Sequence, residues 1–165
     1  MSIPDLAAVL WRQRELLERL VYRLECEQLL LAAGRTRFLG LATAEVEQLL
    51  DELSVVELQR ASIADRVSVD AGLESGASLE DIAAGVQPPW TEVLIEHRHA
   101  LLTLTAELSV LAETNRHLMA AGMQAVESAL ANLGLRQGTT SIGYDAQGRS
   151  EIIAGHVNTV VDRSL

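Results

Sequence analysis

Apolar residues recur along most of this chain with the spacing of an α-helix. In the first segment they fall at intervals of three, four and seven residues, at Leu6, Leu10, Leu17, Leu20, Leu24 and Leu31. Residues at these intervals lie on one face of a helix. Gly34 follows the stripe, and glycine is a common residue just beyond a helix end. The pattern therefore predicts a first long helix over about residues 5–33.

A second apolar stripe predicts a helix over about residues 36–70. Arg60 falls on the same face as the apolar members, so one position of the stripe is polar. The segment from Arg35 to Ala42 is compatible with either a turn or the beginning of this helix. Because the connection is short in both cases, the two helices should pack antiparallel as an αα-hairpin. The apolar members of the stripe are Val46, Leu49, Leu53, Val56, Ile63 and Val67.

Glycine and proline interrupt the pattern between Ala71 and Pro89. Within this stretch Ser78 is followed three residues later by Asp81, and then by a short apolar run that ends at Gly85. A serine with an acid three residues later is a typical helix start, and glycine is a typical stop. A short helix over about residues 78–84 is predicted.

The longest predicted helix covers about residues 89–134 and carries a heptad repeat. Such a length and repeat are typical of a coiled coil. Leucines give way to small residues after Leu118, so either a neighbouring helix approaches closely there or a groove remains for another chain. One row of the repeat is Leu94, Leu101, Leu108, Asn115, Gly122 and Ala129, and the other is Leu104, Leu111, Leu118 and Ala125.

Residues 135–165 are rich in Gly, Ser and Thr and show no helical stripe. Too little apolar surface is present there to offset the entropy of ordering the segment alone. The sequence thus predicts an all-α protein, an antiparallel, coiled-coil-like bundle of three long helices and one short helix. Residues 1–134 would form a single helical domain, and residues 135–165 a flexible tail.

Composition supports helices and argues against nucleic-acid binding. Hydrophobic residues make up 48% of the chain but aromatic residues only 3%, so the core is built from Leu, Ala, Val and Ile. The net charge is −10, and every basic side chain is an arginine. Phosphate binding requires a concentrated basic face, whereas the segment from Ala71 to Gly134 is acidic. This balance is compatible with a basic partner or with a solvated acidic surface that maintains solubility.

The single cysteine, Cys26, excludes an intramolecular disulfide and fits a reducing cytosol. Residues 1–12 lack the basic start and long apolar run of a signal peptide, and charges interrupt each later apolar stretch. We therefore expect a cytoplasmic protein without stable membrane insertion.

No catalytic, metal or cofactor site is predicted. His97 and His99 lie two residues apart and so point to different sides of a helix, and His117 and His156 are far along the chain. All four are expected on the surface or on helix flanks. Cys26 lies between Glu25 and Glu27, whose charges disfavour a reactive thiolate.

Asn115 is the polar member of the heptad row in the last helix. A buried Asn can fix the register of packed helices, or it can offer hydrogen bonds to an incoming partner helix. Met119 and Met123 lie one turn apart just beyond it, where methionine side chains adapt to irregular surfaces. Both interpretations of Asn115 are open at this stage.

Two stretches together resemble the FlgN-type flagellar export chaperone family: residues 113–127, ETNRHLMAAGMQAVE, and residues 143–149, GYDAQGR. The opening LWRQRELLE at residues 10–18 and the PPW at residues 88–90 are also similar to members of that family. The resemblance implies a chaperone that holds the C-terminal helical segments of hook-filament junction proteins, prevents their premature assembly and delivers them to the type III export apparatus. It implies no cofactor.

By position, the resemblance places the partner-binding surface on the last long helix. A generic coiled-coil scaffold or homo-oligomeric adaptor is the alternative, and the heptad seams leave a homodimer open. The expected partner-binding residues are Leu104, Leu108, Leu111, Asn115, Leu118, Met119, Met123 and Val126.

Overall fold

A computed structural model describes residues 2–132, which form four α-helices and one turn of 3-10 helix. The predicted tail, and the predicted end of the last helix at residue 134, lie outside the described residues. Helix α1 spans Ile3–Ala32. It begins with a capping box in which the Ser2 backbone N–H donates to Asp5 Oδ2 at 2.8 Å. The hydrogen bonds from the Ser2 backbone and side chain lower the pKa of the Asp5 carboxyl.

Helix α1 ends just before Gly34, the stop that the sequence predicted. This glycine has a φ of +63°, a conformation that residues with a Cβ rarely adopt. A 3-10 turn over Thr36–Phe38 follows, and helix α2 spans Leu39–Asp70. The segment from Arg35 to Ala42 thus contains both a turn and a helix start.

Helices α1 and α2 pack antiparallel, as predicted for an αα-hairpin. Near one end Gln13 of α1 donates to Glu57 of α2 at 2.6 Å. Near the other end Arg23 forms an ion pair with Glu45 at 3.0 Å. The buried Arg60 of α2 donates from Nε to both oxygens of Glu57 at 3.2 Å, so the polar position of the second stripe is satisfied inside the hairpin.

The short helix α3 spans Leu79–Gly85 and packs against α4. Its predicted start is confirmed, because Ser78 Oγ accepts a hydrogen bond from the Asp81 backbone N–H at 3.1 Å. The preceding loop is fastened to α2 by Asp65, whose Oδ1 accepts from the Gly76 backbone N–H at 2.8 Å.

Helix α4 spans Trp90–Asn132 and runs parallel to α1. Trp11 of α1 packs on His97 near the start of α4, and Asn115 reaches Leu24 near the end of α1. Helix α1 is central, because it packs against both α2 and α4. The fully buried leucines in the core of the bundle are Leu6, Leu10, Leu17, Leu20, Leu24, Leu79, Leu94, Leu101 and Leu108.

Among residues 2–132, each helix is too short or too polar to span a membrane.

Candidate partner-binding surface

The heptad face of α4 passes from the interior to solvent along a single helix. Leu94, Leu101 and Leu108 are fully buried on this face, and Asn115 is 3% exposed. Gly122, Ala125 and Ala129 continue the face at exposed positions, and Met123 and Val126 beside them are 44% and 58% exposed. A face that is core in its first half is therefore an open apolar stripe in its second half.

The stripe is open because α1 ends before α4 does, so the last part of α4 has no α1 beside it. The two helices are level at Glu27 and Asn115. From there α1 continues only to Ala32, about 7.5 Å, whereas α4 continues to Asn132, about 25 Å at 1.5 Å per residue. The last part of α4 thus extends roughly 18 Å beyond the end of its neighbour. We call residues 116–132 the α4 arm.

Gly122 lies on the stripe near the middle of the α4 arm. A Cβ added at this position would meet no atom within 4 Å. Of the two alternatives left by the sequence, the described residues show the open one, in which no neighbouring helix of the chain covers the small residues. The arm therefore has room for another chain at this point.

A buried polar junction joins three helices at the base of the α4 arm. Asn115 Nδ2 of α4 donates to Glu27 Oε2 of α1 at 3.0 Å and to the Leu24 carbonyl at 2.9 Å. Thr43 of α2 donates its hydroxyl to Glu27 Oε1 at 2.9 Å. Glu27 is only 2% exposed, so its carboxylate depends on these neutral donors. Together the three hydrogen bonds hold α1, α2 and α4 in one register.

This junction decides between the two interpretations of Asn115. The donors of its amide are used inside the chain, which supports a role in fixing register. Its Oδ1 has no hydrogen-bond partner among residues 2–132. Because the side chain is enclosed, an incoming helix cannot reach it without opening the bundle.

The residues predicted to bind a partner fall into three groups. Leu108 and Asn115 are inside the bundle, and Leu104 and Leu111 are half-buried against its core. Leu118 and Met119 are half-buried at the base of the α4 arm. Met123 and Val126 are exposed on the arm. The structure thus brings Leu118, Met119, Met123 and Val126 together on a surface that another chain can reach.

The α4 arm is almost uncharged. Glu113, at its base, accepts a hydrogen bond from Arg116 at 2.6 Å and lies 2.8 Å from Nε2 of His117. The hydrogen bond from Arg116 is the main cause that lowers the pKa of the Glu113 carboxyl. Glu127 is the only charged residue between positions 118 and 132. Contacts with the stripe are therefore mainly apolar.

One expectation about histidine is wrong. His97 was expected on the surface or a helix flank, but it is 2% exposed and its ring packs edge-on against Trp11 at 4.8 Å between centroids. It is buried because position 97 lies between Leu94 and Leu101 on the face that meets α1. Burial, and then the charge of Arg14, lower the pKa of its imidazole.

Sequence reasoning also missed Glu27 and Thr43 as members of the junction. Glu27 does lie three residues beyond Leu24 on the first apolar stripe, and an acid on such a stripe is the signal that could have found it.

Cys26, which precedes Glu27, is a half-buried free thiol. Within residues 2–132 no three His, Cys, Asp or Glu side chains are grouped so that they could hold a metal ion. His156 lies outside these residues.

These features define a class of protein: a long-helix bundle whose longest helix carries an open apolar stripe. The sequence model of the FlgN family, described as FlgN protein, matches residues 1–152. The chain therefore belongs to the FlgN family, and it is a flagellar export chaperone that binds flagellar export substrates. No curated protein and no solved structure matches it.

Proposed function

We propose that this protein is a cytosolic chaperone for the C-terminal helical segments of hook-filament junction proteins. It would keep these segments from assembling prematurely and deliver them to the type III export apparatus. The observation that carries the proposal is the open stripe on the α4 arm, which continues a core-forming face beyond the end of α1. Family membership supports the general role.

The proposed contact is an amphipathic cargo helix laid along the α4 arm. Met119, Met123 and Val126 would meet its apolar face, with Leu118 at the base. Removing apolar surface from water contributes about 25 cal/mol per Å², and methionine side chains adapt to cargo helices of different shape. Leu104 and Leu111 would border the contact, while Leu108 and Asn115 would support it from within the bundle.

The nearly uncharged arm also suits a carrier that must release its cargo. Few charged pairs can form across this contact, so affinity depends mainly on apolar area. Ordering a flexible cargo segment opposes that gain and lowers the net affinity. Binding that is moderate and reversible is the expected result.

The test is a calorimetric titration with C-terminal helical peptides of hook-filament junction proteins. Leu118→Asp and Met123→Asp should each weaken binding at least tenfold, because a carboxylate would be buried against an apolar cargo face. Val110→Asp is the matched control, since Val110 is an exposed apolar residue of α4 outside the stripe. It should bind as the unmodified chain does.

Two results would contradict the proposal. Equal binding by all three variants and the unmodified chain would place the cargo elsewhere. Loss of helical circular dichroism in both Leu118→Asp and Met123→Asp would show that the stripe is part of the core. The scaffold alternative predicts a different outcome, a stable self-associated chain that binds none of the junction-protein peptides.

A further inference from the structure

The open stripe of the α4 arm is closed at one end by the connection between α1 and α2. We call this connection, residues 33–38, the α1–α2 turn. Helix α1 ends five residues beyond Glu27, and helix α2 begins four residues before Thr43. Because Glu27 is hydrogen-bonded to both Thr43 and Asn115, the three helices are level at that junction. The ends of α1 and α2 therefore lie about 6 to 8 Å further along, level with residues 119–120 of α4.

The α1–α2 turn thus forms a floor at the base of the stripe. Exposure along α4 agrees with this position, because Leu118 and Met119 are half-buried whereas residues 120–129 are all exposed. A helix that lies on the stripe cannot continue past the floor, so one of its ends must stop there. At the other end of the arm, toward Asn132, no helix of the described chain lies beside the stripe. The rest of a bound protein can leave in that direction.

The floor is a basic spot on an acidic protein. Arg35 and Arg37 are the only charged residues between positions 28 and 44, in a chain whose net charge is −10. Both side chains are exposed, and neither forms an ion pair within the described part of the chain. A negatively charged group at the floor would therefore lie beside two arginines that no described carboxylate neutralises.

Local contacts hold both arginines in place. The Arg35 backbone N–H donates to the Leu30 carbonyl at 2.8 Å, and the Phe38 N–H donates to the Arg35 carbonyl at 3.2 Å. The guanidinium carbon of Arg37 lies 5.3 Å from the centroid of the Phe38 ring. Such a cation–π contact orients the guanidinium without neutralising its charge. Guanidinium donors in a fixed position match the two oxygens of a carboxylate.

We propose that the α1–α2 turn binds the C-terminal carboxylate of the export cargo, which rests on the proposed function. A C-terminal cargo segment has its terminal carboxylate at one end and the rest of the protein at the other. With the carboxylate at the floor, the rest of the cargo leaves past the open end of the arm. The opposite direction would drive the rest of the cargo against the bundle.

This direction also suits the cargo helix itself, because the negative end of its dipole meets the two arginines. The cargo helix would run antiparallel to α4. Roughly 12 of its residues would cover the open arm, which is about 18 Å long. The turn therefore adds a specific polar contact at one end of an otherwise apolar surface.

Calorimetric titration with two peptides of one junction-protein C-terminus tests the carboxylate contact. One peptide ends in the free carboxylate and the other in an amide, which removes the charge and keeps the apolar face. The unmodified chain should bind the free acid at least about fivefold more tightly, because the amide loses the charge-assisted hydrogen bonds. The double variant Arg35→Ala with Arg37→Ala should bind both peptides equally. Arg12→Ala, which removes an exposed arginine in the first half of α1, is the control and should keep the preference.

Extended peptides test the direction of the cargo helix. Two glycine residues added at the C-terminus would press against the floor and displace the carboxylate, so they should weaken binding at least as much as the amide does. The same two residues added at the N-terminus would lie at the open end of the arm and should leave binding unchanged.

Equal affinity for acid and amide would overturn the proposal, as would a preference that survives in the variant lacking Arg35 and Arg37. Weaker binding after N-terminal extension alone would also overturn it, because the cargo helix would then run in the opposite direction. In each of these cases the peptides still bind, so the proposed function stands. Absence of binding by both the acid and the amide would contradict the proposed function, and the proposed carboxylate contact would fall with it.

Discussion

Asn115 of α4 and Glu27 of α1 are joined by a hydrogen bond of 3.0 Å in the interior of the bundle. Their junction lies where the apolar face of α4 stops being core and becomes the open stripe. A polar pair at this place fixes how far α4 slides along α1, and so it fixes the length of the arm. The register of the helices and the extent of the open stripe are thereby linked through one buried contact.

Asn115→Leu should destabilise the protein by about 1–3 kcal/mol, since it leaves the Glu27 carboxylate without its amide donor. The double variant Asn115→Leu with Glu27→Leu should recover most of that loss, because replacing both polar partners by apolar groups removes the unsatisfied charge. Urea unfolding of the two single variants and the double variant measures this as a double-mutant cycle. Additive losses in the cycle would show that the two side chains are not coupled.

The stability of the bundle should fall as the pH decreases below about 6.5, the ordinary pKa of histidine. Burial and Arg14 lower the pKa of His97 in the folded chain, while the nearby Glu96 acts in the opposite direction. The unfolded chain therefore binds the proton more readily than the folded chain. As the pH falls below the pKa of histidine in the unfolded chain, the free energy of unfolding decreases.

Urea unfolding between pH 5 and pH 7.5 measures this dependence. His97→Phe should flatten it, because the titrating group is removed while an aromatic ring still faces Trp11. His99→Gln, at an exposed position two residues away, is the control and should keep the dependence of the unmodified chain. An unchanged slope in His97→Phe would mean that another group is responsible.

Gly122→Ala should stabilise the α4 arm. Open space surrounds this position, so a methyl group fits, and alanine is preferred to glycine inside a helix by about 0.5–1 kcal/mol. Hydrogen–deuterium exchange of the amides in residues 116–132 should slow in the variant. Faster exchange would show that Gly122 meets another part of the chain closely.

The helices themselves could be predicted from the sequence because their signals are local. The apolar stripes give helices α1 and α2, Gly34 ends α1, and Ser78 with Asp81 starts α3. These features depend on neighbours within one or two turns, and the structure confirms each of them.

The candidate site depends on distant parts of the chain, and much of it could not be predicted. The heptad row of α4 is continuous, so nothing within it shows that Leu108 is core while Gly122 is exposed. That difference arises because α1 runs parallel to α4 and ends first. The burial of His97 and the pairing of Glu27 with Thr43 have the same origin, since each requires the arrangement of two or three helices.

The central claim is that export cargo lies along the open stripe of the α4 arm. The chain has three methionines, Met1, Met119 and Met123, and two of them are on this stripe. Methyl NMR of protein labelled at methionine, recorded while junction-protein peptide is added, tests the claim most directly. We predict that the Met119 and Met123 signals shift while Met1 does not. Saturated peptide binding with unchanged Met119 and Met123 signals would contradict the account.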